Sequence, residues 1–222
     1  LQRYRSVALA RHTDAFVAVS RGVGENLVRL GHPRDKLRVI HNGTPLIRFA
    51  SAAEVPLDER EPAVLMAARF ARQKDHATLI RAAALLRDGG TSVVVRLAGG
   101  GSARHERVAR RLVAELGLRD QVEFLGPRDD MADLLARHRV FVLSTHYEGM
   151  GIAVAEAMVA GCAAIASNVV GVEDIVEHGE TGWLVKPSNP ESLARAILEA
   201  LGPEGVERAA AGREFAVKNL SM

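Results

Sequence analysis

Cysteine is nearly absent: the 222 residues hold one, Cys162. A single thiol excludes an internal disulfide and fits a reducing compartment. Its place in the apolar stretch 160–165 reads as a small core residue rather than a reactive group. Aromatics are scarce too, and six Phe, two Tyr and one Trp are too few for platforms on which nucleic-acid bases stack. The eight histidines show no His-x3-His spacing, and one cysteine allows no Cys-x2-Cys pair, so no metal ligand set is expected. Basic and acidic residues nearly balance, 29 against 27, which speaks against a surface built for nucleic acid. The longest apolar run, residues 150–166, is interrupted by Glu156 and falls short of the roughly 18 to 20 residues a membrane span needs. No signal peptide is visible. Two nucleotide fingerprints also fail. After Gly99-Gly100-Gly101 the third glycine of a dinucleotide loop should fall at Arg104, and the Gly149/Gly151 pair has Val154 in that place. No Gly-Lys-Ser/Thr occurs, so a P-loop is excluded.

What is present is a soluble globular composition, 48% hydrophobic and 25% charged. From Glu61 onward apolar runs alternate with helical patterns. Strands are expected at about 63–68, 93–98, 122–125, 140–144, 163–167 and 183–185. Helices are expected at about 75–87, 103–116 and 131–138, from about 152, and from Pro190 to about 201. Continuous apolar strands separated by helices predict an α/β fold, a Rossmann-like parallel sheet with helices on both faces. Such sheets bind ligands at the C-terminal ends of their strands, where the Gly-rich and charged loops of this chain fall. The first 50 residues differ. A strand at 15–20, a helix at 23–30 and a strand at 37–40 resemble the last β-α-β stretch of a preceding domain, with Asn42-Gly43 as a hinge. The chain opens on Leu1 with a helix-like basic segment, residues 2–11, and is read as a piece of something longer.

The segment from Glu148 to Glu156 says most about chemistry. Gly149 and Gly151 let the backbone approach a bulky group where a helix begins, and free N–H groups there favour an anion. Glu156, the only charge in its run, needs hydrogen-bond donors aimed at it. Two carboxylates flanking an anion site suit a nucleotide sugar; a structural carboxylate satisfied by backbone groups is the alternative. Arg69 and Lys74 follow the first strand of the main domain and could hold a diphosphate, the guanidinium through two oxygens and the ammonium as a point charge. Ordinary surface charge is the rival reading. Asp129-Asp130 is expected to cap a helix start.

In this order the motifs resemble the retaining glycosyltransferases of family 4, specifically their C-terminal, donor-binding domain. The likeness begins with Val17-Ala18-Val19-Ser20 and Val39-Ile40-His41-Asn42-Gly43. It continues through Ala68-Arg69 with Lys74, Leu97-Ala98-Gly99-Gly100-Gly101 and Val122-Glu123-Phe124-Leu125-Gly126. It ends with residues 143–151, Ala155-Glu156-Ala157-Met158 and Thr181-Gly182-Trp183-Leu184-Val185. Two glutamates separated by seven residues, Glu148 and Glu156, form the family signature. The resemblance implies the C-terminal half of the two-domain GT-B fold: residues 1–47 as trailing elements of the acceptor domain and linker, and 48–222 as the donor domain.

It also implies that Arg69 and Lys74 hold the donor diphosphate, Glu148 the sugar hydroxyls and Glu156 the ribose hydroxyls. Backbone around Gly149, Met150 and Gly151 would face sugar and phosphate, with Gly126 to Arg128 beside the base and Gly99 and Gly100 in a further donor loop. The implied partners are a UDP- or GDP-linked sugar and a saccharide or lipid-linked acceptor, without cofactor, metal or nucleic acid. The implied place is the cytoplasm, with peripheral membrane association of the full-length protein left open. Departures are Asp75 for the glycine usual after the lysine, Gly100 for an acidic residue, Met150 for an aromatic and Ala163 for a proline. Rival readings are a sugar-nucleotide epimerase or phosphorylase of the same fold and a non-catalytic nucleotide-sugar-binding module. An NAD-dependent enzyme is disfavoured by the failed fingerprint.

Overall fold

The computed structural model describes residues 7, 9, 10, 12–41 and 46–220. Most of the basic segment 2–11 and the Asn42-Gly43 hinge lie outside the described residues. The N-terminal part is a small β-α-β unit: β1 (Phe16–Ala18), α1 (Arg21–Arg29) and β2 (Leu37–Val39). The two strands pair in parallel, Phe16 opposite Leu37. Ser20 caps α1 by accepting from the Val23 N–H at 3.1 Å.

The main domain follows a 3-10 run, Leu46–Glu54, and then alternates strand with helix: β3 (Glu61–Ala67), α2 (His76–Asp88), β4 (Val95–Ala98), α3 (Ala103–Glu115), β5 (Val122–Gly126) and α4 (Met131–Arg137). It continues with β6 (His138–Leu143), α5 (Ile152–Val159), β7 (Ala163–Ser167), β8 (Trp183–Val185), α6 (Pro190–Leu201) and α7 (Pro203–Asn219). The six strands form one parallel sheet in the order β5-β4-β3-β6-β7-β8. This is the doubly wound arrangement in which the chain starts at the centre, runs to one edge and returns to build the other half.

The pleat sends alternate side chains to opposite faces. On one face Val64, Met66, Val95, Leu97, Val140, Val142 and Ile165 are buried against Leu79, Ile80 and Ala83 of α2, Ala109 and Val113 of α3, and Leu193 and Ile197 of α6. On the other, Leu65, Phe141, Leu143, Ala164 and Ala166 meet α4, α5, the 3-10 run and Ala216 of α7. Both faces are covered, as the apolar strands predict. Every residue of β7 is buried.

Helix α7 and the 3-10 run Leu46–Glu54 escape the sequence reading. Helix α7 buries Gly205, Ala209, Gly212 and Ala216, a stripe of small residues at helical spacing that carries little hydrophobic signal. The 3-10 run buries Leu46, Phe49 and Ala52, three positions too few for a confident period. Asp130 does stand at the N-terminal cap position of α4, but its side chain caps nothing; it accepts instead from Arg128 Nε at 2.8 Å. Cys162 is fully buried, and desolvation pushes its thiol up to about 12. It is inert as a nucleophile and lies against the Arg60 guanidinium, which donates to Ala52, Val55, Leu135 and Ala160 carbonyls. Arg60 thereby ties the 3-10 run to the C-terminal ends of α4 and α5.

Candidate functional site

The strand order reverses between β3 and β6, so the crevice outside their C-terminal ends is the topological switch point of the sheet. The loops that leave these two strands are stitched together. Asp75 N–H donates to Ser144 O at 3.0 Å and His146 N–H to Gln73 O at 2.9 Å. Gln73 Nε2 donates to Tyr147 O at 2.7 Å, and Thr145 Oγ1 to Gln73 O at 3.1 Å. Asp75 also caps α2, accepting from Thr78 N–H at 3.1 Å and Thr78 Oγ1 at 2.6 Å. The aspartate that stands where a glycine was anticipated therefore fixes the start of that helix. Beside it His76 stacks on Phe70 at 4.3 Å between ring centroids, and burial lowers its pKa to about 4, so the ring is neutral at pH 7.

Between these loops lies a cleft of about 610 Å³ lined by Arg69, Lys74, Gly99, Arg128, Glu148, Gly149, Met150 and Gly151 among others. Lys74 Nζ contacts Glu148 Oε1, and both side chains are largely shielded, 14% and 10% exposed. Arg69 is exposed and has no ion pair among the described residues. Arg128, at the mouth, is held by Asp130. Ile152 and Ala153, the first turn of α5, line the wall, placing there the N–H groups a helix start leaves unpaired. Gly99 brings the β4 loop against the β3 loop: with φ at +143°, a Cβ there would sit 2.2 Å from Ala68 O, so no other residue fits.

Three residues picked from the sequence do not line this cleft. Gly100 packs on Pro127, Gly126 ends β5, and Glu156 lies one helical turn beyond Ile152 and Ala153. The sequence marks Glu156 as the sole charge of a buried run, in need of donors. Its side chain is 18% exposed, and its donor is Arg48 Nη2 at 3.1 Å, from the 3-10 run. Desolvation raises the Glu156 pKa, and the Arg48 hydrogen bond and charge oppose that rise. Sequence reading missed Arg48. The signal was there in Leu46-Ile47-Arg48-Phe49, a charged residue set among apolar ones just before the main domain.

The β1-α1-β2 unit also reaches the site. A Cβ on Gly149 would touch Val19 at 3.4 Å, and Gly22 N–H donates to Asp174 Oδ2 at 3.1 Å. Gly171, with φ at +87°, passes so close that a Cβ would lie 2.4 Å from Gly149 O. The Glu148–Gly149 corner is thus wedged between the N-terminal unit and the loop after β7. Among the described residues there is no cluster of three or more His, Cys, Asp or Glu placed to hold a metal ion, and no helix is long and apolar enough to cross a membrane.

Residues 48–215 match the family described as Glycosyl transferases group 1, and residues 1–48 that described as Glycosyltransferase Family 4. The lipopolysaccharide core biosynthesis glycosyltransferase LpsE of Rhizobium meliloti (strain 1021) is 31% identical over 205 residues, covering 91% of this chain and 58% of its own length. The D-inositol 3-phosphate glycosyltransferase of Rhodococcus opacus (strain B4) is 33% identical over 217 residues, 91% of this chain and 48% of its own. The chain spans about half the length of these relatives. Among solved structures, sucrose-phosphate synthase from Thermosynechococcus elongatus superposes with a TM-score of 0.83 at 29% identity, over 99% of this chain and 57% of that one. Anabaena Alr3699/HepE in complex with UDP and glucose gives 0.86 at 22% identity, over 99% and 62%, a likeness of fold. The architecture is that of the GT-B glycosyltransferases.

Proposed function

This chain belongs to the group 1 glycosyltransferases, and from that premise we propose that it carries the donor site of a retaining transferase. The enzyme would move a sugar from a UDP- or GDP-linked donor to a saccharide or lipid-linked acceptor. Residues 48–222 form the donor domain, and residues 1–47 are the trailing elements of the acceptor domain. The observation that carries this reading is the meeting of Arg69, Lys74, Glu148 and the α5 N-terminus in one cleft at the switch point of the sheet.

Each role follows from chemistry at that place. Arg69 takes two diphosphate oxygens in its fork, and Lys74 adds a point charge. As the diphosphate leaves, it gathers negative charge, and preorganised cations and helix N–H groups stabilise it without reorganising. Glu148 accepts from donor-sugar hydroxyls, with the backbone of Gly149, Met150 and Gly151 alongside. Glu156 accepts from the ribose diol. Gly126 and Arg128 lie toward the base, and Gly99 shapes the far wall, with Gly100 of the same donor loop behind it against Pro127. The Glu148–Lys74 contact holds both heads in the cleft before ligand arrives. These cations make the donor site independent of a divalent metal and of any cofactor. The place of action is the cytoplasm or the cytoplasmic face of a membrane, where a lipid-linked acceptor would be met.

Calorimetric titration of the chain with UDP and with GDP, each with and without a chelator, tests the proposal. Weak binding of one nucleotide, unchanged by chelator, is expected. Binding that vanishes with chelator overturns the metal-free account, and failure of both nucleotides to bind overturns the donor site.

A further inference from the structure

The Arg48–Glu156 contact lies outside the roles assigned so far. Arg48 sits in the 3-10 run that precedes the main domain, 108 residues from its partner in sequence. Its guanidinium lies over the Phe49 ring, 4.6 Å from the centroid, and Phe49 is itself buried at 2% exposure. The stacking leaves the fork edge free to donate, and Nη2 reaches Glu156 Oε1 at 3.1 Å. Glu156 Oε2 has no bond to Arg48. We propose that Arg48 is a positioning residue for the donor site, holding the Glu156 carboxylate by one oxygen so that the other is presented, ionised, to the vicinal diol of a nucleoside diphosphate.

The inference rests on the donor-site reading given above. A carboxylate this shielded resists ionisation, and one that protonates trades an acceptor for a donor and holds a diol less well. Arg48 counters this directly: burial raises the Glu156 pKa, and Arg48 acts against it. The other elements packed on α5 offer no substitute. Strand β7 carries no titratable side chain, and His138 and Arg139 of β6 are engaged by Leu134, Arg96, Arg60 and Asp58. Glu54 of the 3-10 run and Glu204, Glu207, Arg213, Glu214 and Lys218 of α7 are exposed, and Arg208 pairs with Glu199 and Glu204. A positioning role differs from a structural one in where the loss appears. Arg48 is 61% exposed, so its pair contributes little to stability.

The test measures UDP affinity by calorimetry from pH 5 to 8 for the unaltered chain, Arg48→Gln, Arg48→Lys, Glu156→Gln and the Arg48→Gln/Glu156→Gln double variant, with melting temperatures alongside. Arg48→Gln should weaken UDP about ten-fold, the worth of one charge-assisted bond. It should also move the acid limb of the affinity profile to higher pH, because an unassisted Glu156 protonates sooner. Arg48→Lys should restore most of both. In the Glu156→Gln background Arg48→Gln should cost almost nothing more. If Glu156→Gln weakens UDP while Arg48→Gln shifts neither affinity nor profile, the positioning role is wrong and the donor site stands. If Arg48→Gln lowers affinity equally at every pH and equally without Glu156, the role is structural and the inference is overturned. If neither UDP nor GDP binds the unaltered chain, the donor-site reading fails and takes the inference with it.

Discussion

Lys74 and Glu148 hold each other across the cleft, Nζ against Oε1, although 74 residues separate them in sequence. Each has been assigned a ligand of its own, and in the free protein each is the other's partner. The arrangement is a mutual restraint: it keeps a cation and a carboxylate extended into the same space, where a diphosphate and a sugar would replace it. Removing one partner leaves a shielded charge without compensation, which is worse than removing both. Lys74→Met and Glu148→Gln should each destabilise the fold, and the double variant by less than their sum. Denaturant unfolding of the two singles and the double should give a coupling of about 0.5–3 kcal/mol. Strict additivity would show the contact to be energetically idle.

Glu156 gives a cleaner separation of binding from folding. Glu156→Gln keeps the shape and weakens a charge-assisted acceptor, so UDP affinity should fall by about 1–3 kcal/mol. Stability should hardly change, since desolvation already works against the charge. A variant that unfolds while nucleotide affinity is intact would make Glu156 a structural carboxylate and nothing more.

Much of this was legible in the sequence, and the exceptions share a cause. Strands β7 and β8 and helix α6 fall on the expected residues, because fully apolar runs and a proline at a helix start are local signals. Arg69, Lys74, Glu148 and the Gly149–Gly151 turn converge in one cleft, as loops at strand C-terminal ends in a parallel sheet should. What stayed hidden depends on contacts between distant residues. No local pattern pairs Arg48 with Glu156, or Lys74 with Glu148. Asp130 has the residue type and place of a helix cap, but Arg128, two residues earlier, holds its carboxylate instead. Helix α7 was invisible because it packs through glycine and alanine, which a hydrophobic period hardly registers.

His76 makes stability depend on pH. Its folded pKa of about 4 lies below the ordinary value of 6.5, because a ring packed on Phe70 is desolvated. Between these values the unfolded chain binds the proton and the folded chain does not, so stability rises with pH across that window. The His76 contribution is fully present above about 6.5 and lost as pH falls toward 4, a change of the order of 3 kcal/mol. His76→Phe keeps the stack without the titration. The difference in unfolding free energy between His76→Phe and the unaltered chain should widen from pH 7 to pH 4 and then level. A constant difference would mean that His76 takes up its proton equally in the folded and the unfolded chain, so that burial does not shift it.

The last expectation concerns catalysis by the chain itself. Retaining transfer needs donor and acceptor held within reacting distance, and that positioning supplies much of the rate. Under the proposal the donor loops are here, whereas the described residues before 48 contribute the paired strands β1 and β2 and the helix α1 to the acceptor side. Among the described residues, Val19 stands against Gly149 and Gly22 donates to Asp174, contacts that brace the Glu148 loop. Closure of one domain on the other would exclude water and complete the constellation. The 222-residue chain should therefore bind nucleotide and release sugar from a UDP- or GDP-linked donor slowly, by hydrolysis, with no dependence on added acceptor. Product analysis by mass spectrometry with saccharide and lipid-linked acceptors present checks this. Acceptor-dependent glycoside formation by the purified chain would mean that the acceptor site lies within residues 48–222, and the proposed division of labour between the two domains would be wrong.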